Sequence, residues 1–316
     1  MPRQLRWLEV SADFHCNNRC LGCFSVGGEN EPAMSSADIV TELRRGRARG
    51  ATALWLGGGE PTLRRDLAAV VKKARELGYE RIKLQTNGML LAYPEVTARL
   101  VAAGVSEVNF AIKGATADTH DRLTRTPGCH ELMLKGMVNV AASGLPMAGD
   151  ILVYRSNLHE LVDMVRDYFG RGVTHFNVWA FSASDQGDRD LTAQIPRLTD
   201  VAREVTRAMD AGICSDADFI TSLHTPPCVV PRSHWACLFH GEALDLWVAN
   251  PGGYGFFLEA SPIEGGHYPA NCATCSARSH CGGARRDYLE VFGDDELRAL
   301  AECPPSPREF PREPRI

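Results

Sequence analysis

Three cysteines stand within eight residues in the stretch HCNNRCLGC, at Cys16, Cys20 and Cys23. Thiolates are ligands for soft metals and iron–sulfur clusters, and this loop can hold three corners of such a site. Structural zinc is the alternative, but it asks for four protein ligands and more often for paired Cys-x-x-Cys spacing. With three local thiolates, one coordination position is left open for a substrate. A second signal is Gly57-Gly58-Gly59-Glu60-Pro61. Its glycines let a ligand approach the backbone closely, and its carboxylate can accept hydrogen bonds from an ammonium group. Taken alone, it also reads as a glycine turn closed by a capping glutamate. A third signal is NCATCSARSHCGG, with Cys272, Cys275 and Cys281, followed by Cys303. That spacing suits zinc or iron–sulfur ligation, with Cys303 as a fourth ligand.

The elements around these residues must place them at one end of a sheet. Strand-like runs LRWLEV, ALWL, IKLQ, EVNFAI, DILVY and HFNVWAF alternate with helical patterns. The first helix carries capping-box spacing at Ser35 and Asp38, with Gly50 suited to close it. Repeated βα units predict parallel strands, because parallel pairs need a helical crossover. Six units are too few for a closed eightfold barrel, so the expected fold is α/β, a partial (β/α)6 TIM-type barrel over residues 1–211. The cysteine loop follows the first strand and the glycine run follows the second, at the end where α/β folds bind ligands. Residues 212–316 are expected to form a separate small cysteine-rich module with a hairpin at 244–260 and an extended proline-rich tail. A module that size has little core of its own, so metal binding would supply stability.

Composition narrows the function classes. The 316 residues carry 34 basic and 39 acidic side chains, a net charge of -5, which argues against nonspecific nucleic-acid binding. The N-terminal residues lack the pattern of a secretory signal and no apolar run spans a membrane, so the expectation is a cytoplasmic protein. Eleven cysteines in a reducing compartment point to metal ligation rather than disulfides.

Together these residues resemble the radical S-adenosylmethionine (radical SAM) enzymes. CNNRCLGC matches their CxxxCxxC loop, GGGEP their GGE motif and Gln85-Thr86-Asn87-Gly88 the end of their third strand, over about residues 5–210. The resemblance implies a [4Fe-4S] cluster on Cys16, Cys20 and Cys23, whose fourth iron would chelate SAM. Gly58, Gly59 and Glu60 would hold the methionine ammonium, with Thr86 or Asn87 near the methionine or ribose. An electron from the cluster would cleave SAM to methionine and a 5′-deoxyadenosyl radical, which abstracts hydrogen from the substrate. Two positions depart from the family. Gly22 stands where an aromatic residue usually packs on the adenine, and Phe24 is the candidate to replace it. Lys113 follows the fourth strand where relatives often carry a serine-aspartate pattern. It either pairs with the SAM carboxylate or the substrate, or is a solvated lysine.

The late cysteines resemble the SPASM or twitch extension of this family, with auxiliary [4Fe-4S] clusters. Cys272, Cys275, Cys281 and Cys303 would hold one. A second would draw on Cys228, Cys237 and Cys214, but Arg285 occupies the position of its remaining cysteine. Cys129 is read as packing, although a thiol near the barrel mouth can also donate a hydrogen atom. Tyr154, Arg155, Trp179 and Ser182 are strand-end candidates for the pocket, with core packing as the commoner role of such aromatics. The resemblance leaves two substrate classes open, a peptide or protein side chain and a small molecule such as an aminocyclitol or sugar alcohol. A non-enzymatic iron–sulfur or zinc scaffold is the third reading, against which GGGEP argues. A flavodoxin or ferredoxin is the expected electron donor, and no nucleic-acid or membrane partner is expected. No leader-peptide-binding domain is expected ahead of the first strand.

Overall fold

The computed structural model describes residues 3–23, 25, 31–183, 189–216, 218–239, 244–261 and 266–304. Strands β1 (Trp7–Ser11), β2 (Ala53–Gly57), β3 (Arg81–Thr86), β4 (Glu107–Ile112), β5 (Met147–Val153) and β6 (Val173–Ala180) alternate with helices. The helices are α1 (Ser36–Ala48), α2 (Leu67–Glu76), α3 (Pro94–Ala103), α4 (Ala117–Thr124), α5 (Cys129–Ala142) and α6 (Leu161–Phe169). After β6 come a single turn α7 (Arg189–Thr192), α8 (Leu198–Asp210), β7 (Ile220–Leu223), the hairpin β8 (Leu246–Ala249) and β9 (Gly255–Phe257), and α9 (Arg286–Phe292).

Local chemistry sets the helix ends. Ser35 and Asp38 form the expected capping box: Asp38 N donates to Ser35 Oγ (3.2 Å) and Ser35 N to Asp38 Oδ2 (3.0 Å). Pro94 opens α3, and Gly104 closes it in the left-handed region at φ 112°. The interrupted helical stretch between the fourth and fifth strands is α4 and α5, parted where Arg125 and Gly128 turn to φ 53° and 79°.

The sheet runs β7-β6-β5-β4-β3-β2-β1-β8-β9, parallel throughout except for the antiparallel β8–β9 pair. Edges β7 and β9 do not meet, so the barrel is open. The sequence expectation of a module separate from residue 212 differs from this arrangement. β7 extends the sheet beside β6, and β8 pairs parallel with β1. The reason is apolar: Leu246 and Val248 pack with Trp7, Ala53 and Trp55, covering an edge of β1 that would otherwise expose unpaired backbone.

Strand residues alternate between two faces. Leu8 and Val10, Leu54 and Leu56, Ile82 and Leu84, Val108 and Phe110, and Phe176 and Val178 join Ile39, Leu43, Val70, Leu161 and Val205 in the main core between sheet and helices. The intervening positions face the barrel interior. Among the described residues, no helix is long and apolar enough to cross a membrane.

Candidate functional site

The cysteine loop leaves β1 and lies directly on the glycine run after β2. Gly59 N donates to Asp13 O (2.7 Å) and Glu60 N to His15 O (2.8 Å). A Cβ built on Gly58 would stand 2.5 Å from Asp13 O, and one on Gly59 would stand 2.1 Å from His15 O. What approaches these glycines is therefore the backbone of the cysteine loop itself. We expect Gly59→Ala to destabilise the protein by about 2 kcal/mol or more, read from its urea midpoint, because a backbone carbonyl has nowhere to yield. The same substitution should lower the iron held after anaerobic reconstitution by about four per chain.

Glu60 joins the second motif to the third. Its carboxylate is buried, and Oε1 accepts from Thr62 N (3.0 Å), the Thr62 hydroxyl and Thr86 Oγ1 (2.7 Å). Oε2 accepts from Asn87 N (2.8 Å). Burial raises its pKa, opposed by these hydrogen bonds from Thr62, Asn87 and Thr86. The carboxylate thus ties the glycine run to the end of β3. Asn87 continues the chain of contacts through Nδ2 to Asn17 Oδ1 (2.7 Å), and Asn17 Nδ2 reaches Met89 Sδ (3.4 Å).

The opposite wall comes from α4, α5 and the ends of β5 and β6. Arg19 N donates to Thr124 O (3.1 Å), Leu21 N to Leu123 O (2.9 Å), and Tyr154 Oη to Leu21 O (2.9 Å). Phe181 stacks on Tyr154 at 4.6 Å between centroids, and its ring would stand 2.4 Å from a Cβ on Gly22. The space beside the residue before Cys23 is therefore filled by an aromatic ring from beyond β6. Phe24, the residue expected to serve there, lies outside the described residues. Cys129 is fully buried at the start of α5 and accepts from Asn18 Nδ2 (3.2 Å).

Lys113 is buried, so the solvated reading does not hold. Burial alone would lower its pKa, but the neighbouring Cys20, Tyr154, Cys23 and Cys129 outweigh it and raise the pKa overall. Its charge therefore sits against the cysteine loop. Burial raises Cys16 to about 12 and Cys20 to about 11, and the neighbouring thiols add to the rise. Unliganded, both are protonated at neutral pH, so binding iron would displace protons. Cys16 Sγ also accepts from Asn18 N (3.3 Å), a kind of contact that tunes cluster thiolates. Among the described residues, no three cysteine, histidine or carboxylate side chains group as ligands of one metal ion. A cluster makes a different demand, since each thiolate binds its own iron. The donor set of three soft thiols and a buried cation fits an iron–sulfur group.

The sequence profile of the radical SAM superfamily matches residues 14–168. Residues 14–168 are a radical SAM domain. A probable GTP 3',8-cyclase of Saccharolobus solfataricus is 29% identical over 178 residues, covering 56% of this chain and 57% of its own. Mycofactocin maturase MftC of Mycobacterium ulcerans is 34% identical over 155 residues, covering 48% and 40%. The chain spans about half the length of the curated relatives it matches. In fold it is similar to SuiB of Streptococcus suis bound to precursor peptide SuiA. The TM-score is 0.64 at 15% identity, covering 80% of this chain and 59% of that one.

Beyond the radical SAM domain, the late cysteines sort differently from their spacing. Cys228, Cys272, Cys275 and Cys281 line one cavity with Pro226, Tyr268 and Leu297. Cys275 Sγ accepts from Leu300 N (3.3 Å) and Cys281 Sγ from Gly283 N (3.3 Å). Burial raises Cys281 to about 11. Cys303, the fourth member by sequence, does not line this cavity; it is exposed, its Sγ 2.9 Å from His280 Nδ1. Cys237 is buried in the main core and Cys214 packs against that core, and neither lines the cavity. Arg285 donates to Ala180 O (2.7 Å) and reaches the ring of His224 (2.7 Å), while Asp287 accepts from Ser182 Oγ and Ala183 N (both 2.7 Å). The start of α9 is thus clamped to the end of β6, and this clamp occupies the position expected of a second cluster's cysteine.

Sequence reasoning missed Phe181 and the polar residues of the barrel interior, Glu9, Asn109, Asp150 and Asn177. The signal was present as a polar residue at alternate positions of LRWLEV, EVNFAI and HFNVWAF, in strands that parallel packing would make apolar on both faces.

Proposed function

We propose that the chain is a radical SAM enzyme that modifies a peptide or protein side chain. A SAM-binding [4Fe-4S] cluster would sit on Cys16, Cys20 and Cys23, and one auxiliary cluster on Cys228, Cys272, Cys275 and Cys281. The observation that carries this reading is the joining of three motifs into one wall by the Gly59–Asp13 and Glu60–His15 backbone bonds and the Glu60 carboxylate. When bound, the cluster and SAM supply one-electron cleavage of SAM and abstraction of a substrate hydrogen atom. The chain's own residues do the positioning. The backbone of Gly58 to Glu60 fixes the loop height, Lys113 supplies positive charge beside Cys20 and Cys23, and Asn18 and Asn87 surround Cys16. Thr86 holds Glu60 in place.

MftC, a maturase, and SuiB, solved with a precursor peptide, support a peptide substrate. A small-molecule substrate is the second reading, favoured by the likeness to a probable GTP 3',8-cyclase. A flavodoxin- or ferredoxin-type donor would deliver the electron. The test is anaerobic reconstitution with iron and sulfide, followed by SAM and dithionite. We expect 5′-deoxyadenosine and methionine in equal amounts; a loaded protein that forms neither would end both enzyme readings.

A further inference from the structure

The chain carries a net charge of -5, so an acidic partner needs a local positive surface to approach it. One edge of the cysteine loop supplies it. Arg19 stands directly before Cys20 and is exposed, and Arg122 and Arg125 are exposed at the end of α4. Two backbone bonds join the loop to this helix end, Arg19 N to Thr124 O (3.1 Å) and Leu21 N to Leu123 O (2.9 Å). Arg19 and Arg125 therefore flank one contact, and Arg122 belongs to the turn of helix beside it.

Exposed arginines elsewhere are matched by a carboxylate on the same helix, as in Arg166 with Asp163 and Arg286 with Glu290. Among the described residues, no carboxylate pairs with Arg19, Arg122 or Arg125. The carboxylates of α4 are Asp118, in its first turn, and Asp121. Asp121 is turned back on the chain, Oδ2 accepting from Gly128 N (2.6 Å) and Oδ1 from His130 N (2.8 Å). Position ties this edge to redox chemistry. The Arg125 charge lies close enough to act on the buried phenol of Tyr154, which Cys20 and Cys23 also influence. Tyr154 Oη donates to Leu21 O (2.9 Å), between those two cysteines in the chain. Past Arg125, Pro127 and Gly128 are exposed, and a Cβ built on Gly128 would meet nothing within 4 Å, so the edge stays low between α4 and α5.

We propose that Arg19, Arg122 and Arg125 form the docking surface for an acidic one-electron carrier, a protein whose carboxylates surround an exposed redox cofactor. One electron leaves the reduced carrier, which is oxidised, and enters the cluster on Cys16, Cys20 and Cys23, which passes from its 2+ to its 1+ state. No bond or proton moves with it. Complementary charge at such a surface speeds encounter and fixes orientation. Nucleic acid is the less suited polyanion, because three arginines neutralise too few phosphates. The assignment rests on the radical SAM reading for the cluster on this loop and for its need of an electron.

The test mixes the reconstituted full chain, without SAM, with flavodoxin in its hydroquinone form under anaerobic conditions. Growth of semiquinone absorbance gives the rate constant of electron transfer. Arg122→Glu combined with Arg125→Glu should lower it about tenfold or more at low salt. In about 1 M salt, where the Debye length is about 3 Å, the difference should shrink to about twofold or less. Arg122→Gln with Arg125→Gln should give an intermediate loss, and Arg99→Glu, exposed on α3, none. Iron content and the thermal midpoint are checked on each variant, and dithionite, which needs no docking, should reduce the double variant as completely as the parent. An unchanged rate in the Glu pair, or an equal loss from Arg99→Glu, would overturn the assignment. So would a loss confined to Arg278→Glu, on the auxiliary cavity, which would move docking there. A parent reduced by dithionite but by neither flavodoxin nor an acidic plant-type ferredoxin would overturn it as well. Arginine-dependent transfer in a protein that never cleaves SAM would sink the enzyme reading alone. SAM cleavage with dithionite, but charge-independent transfer from flavodoxin, would sink the docking surface alone.

Discussion

Replacing Cys16, Cys20 and Cys23 together by alanine is expected to abolish 5′-deoxyadenosine formation and leave about four of about eight irons per reconstituted chain. The expectation has two parts with separate causes. Activity goes because these thiols are the ligands brought beside the Glu60 wall and the Lys113 charge, and no other described cysteine can replace all three. The fold stays because the loop is held by its backbone, through Gly59 N to Asp13 O, Glu60 N to His15 O, Arg19 N to Thr124 O and Leu21 N to Leu123 O. Alanine leaves each of those bonds intact, so the urea midpoint of the iron-free variant should match that of the iron-free parent. Iron analysis then counts the auxiliary clusters directly. Retention of about eight irons would require a further cluster built with Cys214 and Cys237, against their placement in and against the core. Loss of all iron would mean that the cavity lined by Cys228, Cys272, Cys275 and Cys281 holds none.

Much of this arrangement was legible in the sequence because it is local. The CxxxCxxC loop follows β1 by a few residues, GGGEP begins on the last residue of β2 and QTNG on the last two of β3, so strand order alone brings them to one end of the sheet. β4 begins and ends where EVNFAI does, and the Ser35–Asp38 box opens α1 as its spacing predicts. What was not legible depends on partners far apart in the chain. Glu60 sits beside glycines that suggest a ligand site, but its carboxylate is claimed by Thr86 and Asn87 from the next strand. Gly22 lacks the aromatic of its relatives, and the ring that fills the gap arrives from Phe181, more than 150 residues later. Asp150 reads as the first residue of an apolar strand, DILVY, yet β5 begins at Met147 and carries Asp150 into the interior. Spacing also cannot tell which distant cysteine completes a set of four, since loop closure between remote residues leaves no local trace.

That last ambiguity yields the sharpest comparison. Cys228→Ala is expected to remove about four irons per reconstituted chain and the matching share of charge-transfer absorption, whereas Cys303→Ala should keep the full complement. The two cysteines differ in surroundings rather than in chemistry. Cys228 lies between Pro227 and Val229, lines the cavity with Cys272, Cys275 and Cys281, and has its pKa raised first by burial and then by Cys275. Cys303 is exposed and meets His280 outside that cavity. Backbone N–H groups from Gly283 and Leu300 already point at the sulfurs of Cys281 and Cys275, so this cavity provides the donors that stabilise thiolate ligands. The Cys303 sulfur faces an imidazole instead. The reverse outcome, iron lost with Cys303→Ala and kept with Cys228→Ala, would restore the grouping suggested by spacing. It would also require Cys303 to leave His280 for the cavity that Leu300 already lines.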